Sequence, residues 1–158
     1  MTISDTRQAE RLGNMATLEA ELLFKLQITF GPPALVGDTG KGTRSIGGGP
    51  GRVEGPQIKG AIELTDWVLM RADGAGEVDV RGTIRTDDGA VIYIYYTGIL
   101  DVSKAPQSGS PGRCPIRTGV RFETGAESYA FLNRTQGVGI GVADFDARTV
   151  SYDIYALK

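Results

Sequence analysis

The chain has 158 residues, 41% of them hydrophobic and 23% charged, with one cysteine and no histidine. These values predict a single globular domain, and the net charge of −2 gives no reason to expect nucleic acid or an anionic membrane as a partner. The missing histidine excludes Ser-His-Asp and Cys-His catalysis and the commonest metal ligand, so we expect no metal and no organic cofactor. The lone Cys114 cannot form an internal disulfide.

The first 15 residues are mostly polar and predict a flexible arm in front of a single domain over residues 16–158. The N-terminus has no apolar core of a signal peptide, and no run of 18 apolar residues occurs. We therefore expect a cytoplasmic protein with no membrane partner.

From Leu18 to Phe30, apolar residues alternate with mostly polar ones, a period typical of a strand with one buried face. Gly31-Pro32-Pro33 should end this strand, because proline cannot donate a ladder hydrogen bond.

Nine glycines lie between Gly37 and Gly60. Phosphate-loop spacing fails, since Lys41 precedes Gly42 instead of Ser or Thr, and Ser45 occupies the third glycine position of a dinucleotide fingerprint. Two interpretations stay open: the glycines allow strands to bend around a barrel, or they shape a functional cavity. We predict that residues 42–67 line the mouth of a barrel.

The remaining elements are predicted from alternation and turn residues. They are a strand pair over 57–71 broken at Gly60 and Thr65-Asp66, strands over 77–85, 90–100, 116–123, 138–143 and 150–155, a loop over 103–115 that could cover the barrel mouth, and a turn or short helix over 129–134.

Eight to ten short strands with little helix predict an all-β protein, either an antiparallel barrel or a sandwich. We favour the barrel, because a long first strand, bulge glycines and a closing last strand would leave no free edge. A barrel of this size holds packed side chains or one small ligand.

Several short motifs occur in a fixed order along the chain, beginning with Gly42-x-Arg44, Glu54-Gly55-Pro56 and Asp66-Trp67. They continue through Asp79-x-Arg81, 86–92, Tyr129-x-x-Leu132-Asn133 and 137–141. This order resembles the domain of unknown function 3237 family over residues 18–157, although Leu64-Thr65 replaces a glycine pair that often precedes Asp-Trp there. The resemblance implies a calycin-like (lipocalin-like) barrel that self-associates into a homodimer or larger oligomer.

Three residues of the glycine-rich run are candidates for chemistry, and we predict that Arg44, Asp66 and Trp67 look into the cavity. Asp66 beside the indole of Trp67 could be desolvated into an acid or base, or it could cap a turn while Trp67 fills core. Arg44 could stabilise a substrate anion through its planar guanidinium, or it could pair with Asp66 or Asp79.

Further candidates lie along the later segments. Tyr95 is a possible proton donor, with Tyr93 on the same strand face as a ligand-binding residue. Asp79 and Arg81 share one face and would bind ligand only if it points inward. Tyr129 and Asn133 could contact ligand, or Asn133 could anchor a loop.

Three functions remain open. The first is a cofactor-independent lyase, isomerase or cyclase that acts on a small aromatic, terpenoid or polyketide-like molecule. The second is a lipocalin-like protein that binds an apolar small molecule without changing it. The third is a structural protein with a solid barrel, which would have no internal cavity.

Overall fold

The computed structural model describes residues 13, 16–103 and 111–158. It contains nine strands and one 3₁₀ helix within these ranges. The strands are β1 (Ala20–Thr29), β2 (Ala34–Asp38), β3 (Thr43–Glu54), β4 (Lys59–Met70), β5 (Ala75–Thr86), β6 (Val91–Asp101), β7 (Arg113–Glu123), β8 (Gly137–Asp144) and β9 (Thr149–Leu157), and the helix η1 is Glu127–Arg134.

Eight of these strands form a closed antiparallel barrel, as the sequence predicted. Strands β3 to β9 pair in chain order, and β1 pairs with β9 on one side and with β3 on the other. The register that closes the barrel runs from Lys25 opposite Glu54 to Ile28 opposite Gly51. Closure removes the free edges on which another chain could pair.

Strand β2 lies beyond the end of β1 and pairs with the first residues of β3. The predicted break at Gly31-Pro32-Pro33 separates β1 from β2, because the prolines supply no amide hydrogen to a ladder. Thus β3 pairs with β1 along its last four residues and with β2 along its first four.

One predicted interruption is wrong. Residues 57–71 were expected to form two strands broken at Gly60 and Thr65-Asp66, but Lys59 to Met70 is one continuous strand. Gly60 and Asp66 keep their places in the ladder opposite Thr86 and Val80 of β5. Pairing on both sides outweighs the low strand propensity of Gly and Asp.

The inside of the barrel is packed at one end and hollow at the other. The packed end is filled by Phe24, Ile84, Ile92, Ile94 and Ile154, each fully buried. Helix η1 closes this end with Leu132 fully buried and Tyr129 nearly so. Of the two alternatives predicted over 129–134, a turn or a short helix, the structure shows the helix, within Glu127–Arg134.

Two predicted segments, the arm over 1–15 apart from Gly13 and most of the loop over 103–115, lie outside the described residues. No helix in the described part of the chain is long and apolar enough to cross a membrane.

The closing contact between β1 and β3 leaves no room for a side chain at Gly51. A Cβ there would lie 2.0 Å from the carbonyl oxygen of Gln27 and 2.5 Å from Cδ1 of Ile28. We expect Gly51→Ala to lower the free energy of unfolding by roughly 1–3 kcal/mol, measured by urea denaturation. Gly125→Ala is the matched control, because nothing lies within 4 Å of its added Cβ and little change is expected. Equal stability of both variants would show that the closing contact between β1 and β3 tolerates a side chain at Gly51.

Candidate functional site

A cavity of about 250 Å³ occupies the end of the barrel opposite η1. It lies where β1, β4, β6 and β8 end and where β3, β5, β7 and β9 begin. Its described lining residues are mostly apolar: Ile28, Phe30, Gly31, Pro33, Ser45, Gly47, Gly48, Leu64, Asp66, Val68, Met70, Val78, Val80, Tyr96, Leu100, Ile116, Ala143, Phe145, Val150 and Tyr152.

The glycine-rich run contributes Ser45, Gly47 and Gly48 to this lining, as predicted. Gly47 lies directly opposite Asp66 in the ladder between β3 and β4. An added Cβ at Gly47 would meet only Pro33 within 4 Å, at 3.6 Å from its Cβ, so the missing side chain keeps this part of the lining open. The glycines therefore shape a cavity in addition to allowing the strand to bend.

Among the described lining residues, Asp66 alone carries a carboxyl group. Its Oδ1 atom is buried with no hydrogen-bond partner. Burial raises the pKa of the Asp66 carboxyl to about 7, because the apolar surroundings disfavour its charged form. A hydrogen bond from the backbone of Asp79 lowers the pKa of Asp66, and the negative charge of the Asp79 carboxylate raises it. Asp66 thus carries a proton about half of the time near neutral pH.

Tyr96 on β6 and Tyr152 on β9 contact each other inside the barrel, next to Asp66. Their ring centroids are 5.4 Å apart at an interplanar angle of 65°, and their hydroxyls are hydrogen-bonded to each other. Burial raises the pKa of both phenols far above the usual range, and the nearby charge of Asp66 raises both further. Both hydroxyls therefore keep their protons at neutral pH. The proton of Tyr152 is used in the hydrogen bond to Tyr96, and the proton of Tyr96 can be donated to a ligand.

The ring of Tyr152 lies close against β8. A Cβ at Gly141, its partner across the ladder, would lie 2.4 Å from Cδ1 and 2.6 Å from Cε1 of the ring. Only glycine leaves room for the ring in this position. The glycines of β8 thus help to direct the Tyr152 hydroxyl towards Tyr96 and Asp66.

Trp67 does not look into the cavity, so this expectation is corrected. Successive residues of a strand point to opposite faces, and because Asp66 points inward Trp67 points outward. Its ring lies on the outer surface under the guanidinium of Arg81, with Cζ 5.9 Å from the ring centroid.

Arg44 is also outside the cavity, contrary to the prediction. Ser45 of β3 faces the lumen, so its neighbour Arg44 faces outward, and Nη1 of Arg44 donates a hydrogen bond of 3.4 Å to the carbonyl oxygen of Trp67. The expected pairing of Arg44 with Asp66 across the lumen is excluded by the same alternation.

Four more predicted residues lie on the outer face. Asp79 stands opposite Trp67 and Arg81 opposite Tyr95 in the sheet, and an ion pair of 3.7 Å joins Asp79 to Arg81. Tyr93 and Tyr95 stack on each other with their centroids 5.9 Å apart. These residues form an outer patch that the barrel wall separates from Asp66.

Tyr129 and Asn133 lie on η1, at the packed end of the barrel. Tyr129 donates a hydrogen bond of 2.8 Å to Asp88 in the turn between β5 and β6. Asn133 donates to the carbonyl oxygen of Thr124 and accepts a hydrogen bond from its amide. Both therefore hold the cap of the barrel in place, and neither joins the cavity.

The sequence interpretation missed Tyr96 and Tyr152 as site residues. The signal was present in β6, where Ile92 and Ile94 mark the buried face and Tyr96 continues it. In β9, Tyr152 shares its face with the buried Ile154 in the same way. Tyr93 and Tyr95 were predicted as site residues, although they alternate with Ile92, Ile94 and Tyr96 and therefore lie on the opposite face.

The described residues contain no group of three His, Cys, Asp or Glu side chains that could hold a metal ion. What the site offers is one buried carboxyl group and two phenol hydroxyls next to an apolar space. These groups can transfer a proton and donate hydrogen bonds to a developing oxyanion.

The family profile described as "Protein of unknown function (DUF3237)" matches residues 18–157. The chain belongs to this family. A UPF0311 protein of Rhodopseudomonas palustris (strain TIE-1) is 31% identical over 152 residues, covering 88% of this chain and 96% of the relative. The resemblance drawn from the motif order is thereby confirmed.

Solved structures share the fold. A beta-barrel like protein from Acinetobacter baumannii AYE superposes with a TM-score of 0.80 at 28% identity, covering 92% of this chain and 99% of the other. A structure described as an enzyme from Penicillium herquei superposes with a TM-score of 0.70 at 22% identity over 92% and 99%. At that identity the likeness to the fungal enzyme shows the fold alone.

The raised pKa of Asp66 predicts a pH dependence of stability. The folded state keeps the proton up to about pH 7, whereas the unfolded chain loses it near the ordinary value of 3.8. The stability from this group is therefore fully present below pH 3.8 and is lost as pH rises towards 7. Between pH 4 and 8, we expect the wild type to lose roughly 2–4 kcal/mol of unfolding free energy relative to Asp66→Asn, which does not titrate. Urea unfolding at several pH values measures this difference, and parallel curves would contradict it.

Proposed function

We propose that the protein is a cofactor-independent enzyme of the lyase, isomerase or cyclase type, acting on a small apolar or aromatic molecule bound in the barrel. The observation that carries the proposal is the buried carboxyl group of Asp66, which has an unpartnered oxygen and lines an apolar cavity. Such a group costs stability, and strongly perturbed acids concentrate at functional sites.

In this proposal Asp66 is the proton-transfer group. In its ionised form it takes a proton from the carbon beside a carbonyl, the C–H electron pair becomes a C=C bond, and the C=O π pair moves to the oxygen to give an enolate. In its protonated form it gives the proton to another carbon, which re-forms the carbonyl and completes an isomerisation. In an elimination the enolate re-forms the carbonyl while a leaving group on the β carbon departs with its bonding electron pair and takes the proton from Asp66. A pKa of about 7 suits both directions near neutral pH.

The anion-stabilising role expected of Arg44 passes in this proposal to the tyrosine hydroxyls. Tyr96 and Tyr152 line the cavity beside Asp66, whereas Arg44 lies on the outside. A phenol that keeps its proton donates a hydrogen bond to an enolate oxygen as charge develops there. The proposed catalytic residues are therefore Asp66, Tyr96 and Tyr152.

A second candidate is a lipocalin-like protein that binds an apolar small molecule and leaves it unchanged. The mostly apolar lining of the cavity favours it. A binding protein needs no working base, so an assay of base catalysis separates the two functions. The cavity itself argues against the third function, a structural protein with a solid barrel.

The base can be tested without the natural substrate by using 5-nitrobenzisoxazole. A base removes its ring C–H proton, the N–O bond breaks, and a coloured cyanophenolate is released. We expect the wild type to catalyse this reaction with a rate that rises through about pH 7, and Asp66→Asn to lower the rate by at least about 100-fold. Glu63→Gln is the control, because Glu63 is an exposed residue of the same strand.

The result that contradicts the enzyme proposal is a rate equal in the wild type and Asp66→Asn. It would favour the binding protein if an apolar compound still entered the cavity. Circular dichroism of both variants confirms that the fold is kept.

The hydrogen-bonding role of Tyr96 is tested by comparison with its neighbour Tyr95, which points to the outside of the barrel. We expect Tyr96→Phe to slow the same reaction by at least about tenfold, because the developing phenolate loses a hydrogen-bond donor. Tyr95→Phe should leave the rate unchanged, since Tyr95 stacks on Tyr93 outside the barrel. A larger loss in Tyr95→Phe than in Tyr96→Phe would overturn this assignment.

A further inference from the structure

The charge of the lining residues restricts what the cavity can hold. No lysine or arginine occurs among the described residues that line it. The nearby Arg44 and Arg81 are turned to the outer surface, where they contact the carbonyl and the ring of Trp67. An anion entering the cavity would lose its hydration and meet no positive charge, which is costly in an apolar site.

The polar groups of the lining offer protons rather than positive charge. Tyr96 and Tyr152 keep their phenol protons, and Ser45 and the protonated form of Asp66 each carry an O–H group. Around them the walls are made of rings and aliphatic side chains such as Phe30, Met70 and Phe145. A ligand that suits this arrangement is flat and apolar with one hydrogen-bond acceptor.

The volume limits the size of such a ligand. The cavity, at about 250 Å³, is slightly smaller than the roughly 300–1,000 Å³ of pockets for drug-sized molecules. A compound of one or two rings fits this space, and a larger one would extend out of the mouth.

We propose that the cavity selects uncharged one- or two-ring compounds that carry a carbonyl group, held by a hydrogen bond from the phenol of Tyr96, and rejects carboxylates of the same shape. This proposal rests on the proposed function and names the substrate class of the same site. It differs from the substrate anion that Arg44 was predicted to stabilise, because Arg44 lies outside the cavity.

The test uses two probes of matched shape, 2-acetonaphthone, an uncharged ketone, and 2-naphthoate, a carboxylate. Titration calorimetry at pH 6 should show the ketone binding at least about tenfold more tightly, a difference of about 1.4 kcal/mol. Between pH 6 and pH 8.5 the affinity for the ketone should change by less than about threefold, because the Tyr96 phenol keeps its proton over this range. Glu63→Gln should behave like the wild type.

Asp66→Asn separates this proposal from the proposed function. The amide cannot serve as a base but leaves the Tyr96 phenol in place, so the variant should bind the ketone like the wild type and fail to cleave 5-nitrobenzisoxazole. Wild-type catalysis that Asp66→Asn retains would remove the proposed function while leaving ketone selectivity standing. Equal binding of ketone and carboxylate, or no binding of the ketone at pH 6, would overturn the substrate class whatever the catalytic result.

Discussion

The pairing of β1 with β3 is the contact on which the whole architecture depends. Without this pairing, β3 to β9 form an open sheet in chain order, with β3 at one end and β1 beside β9 at the other. Only the four residue pairs from Lys25–Glu54 to Ile28–Gly51 connect these two ends. Closing a sheet of eight strands fixes an inside and an outside for every residue. Without this seam Asp66 would lie on an open sheet face in contact with water, and the basis for its raised pKa would be lost.

The hollow end exists because two strands present small residues to the inside. β3 contributes Ser45 and Gly47, and β8 contributes Gly141 and Ala143, where the packed end has isoleucine and phenylalanine. Part of the space left by β8 is taken by the ring of Tyr152, and the rest is cavity. The same shortage of side chains thus positions a phenol and makes room for a ligand.

The sequence predicts the architecture well because alternation and turn residues report on local backbone geometry. The barrel, the hairpins and the short helix near residue 130 follow from these signals. The facing of single residues is harder: β8 alternates Val and Ile with Gly and Ala, and burial alone would turn the larger residues inward. The structure turns Ile140 outward and Gly141 inward, because the ring of Tyr152 on the neighbouring strand fills the interior there. This depends on a partner strand, which a single-strand pattern does not contain.

The sequence predicted only part of the candidate site, because the facing of single residues decides which side chains enter it. Asp66 was predicted because the adjacent indole of Trp67 was expected to desolvate it, but Trp67 and the nearby Arg44 were assigned to the same side without regard to alternation. Applied strictly, a period of two places Asp66 with Leu64 and Val68, and Tyr96 with Ile92 and Ile94. An inward carboxyl group and an inward phenol on two strands of one closed barrel then share one interior. The alternation that predicted the strands therefore also predicts which residues face the site. The strand patterns lacked two things: the register that places Asp66 level with Tyr96 through Val80, and the barrel closure that brings Tyr152 beside Tyr96.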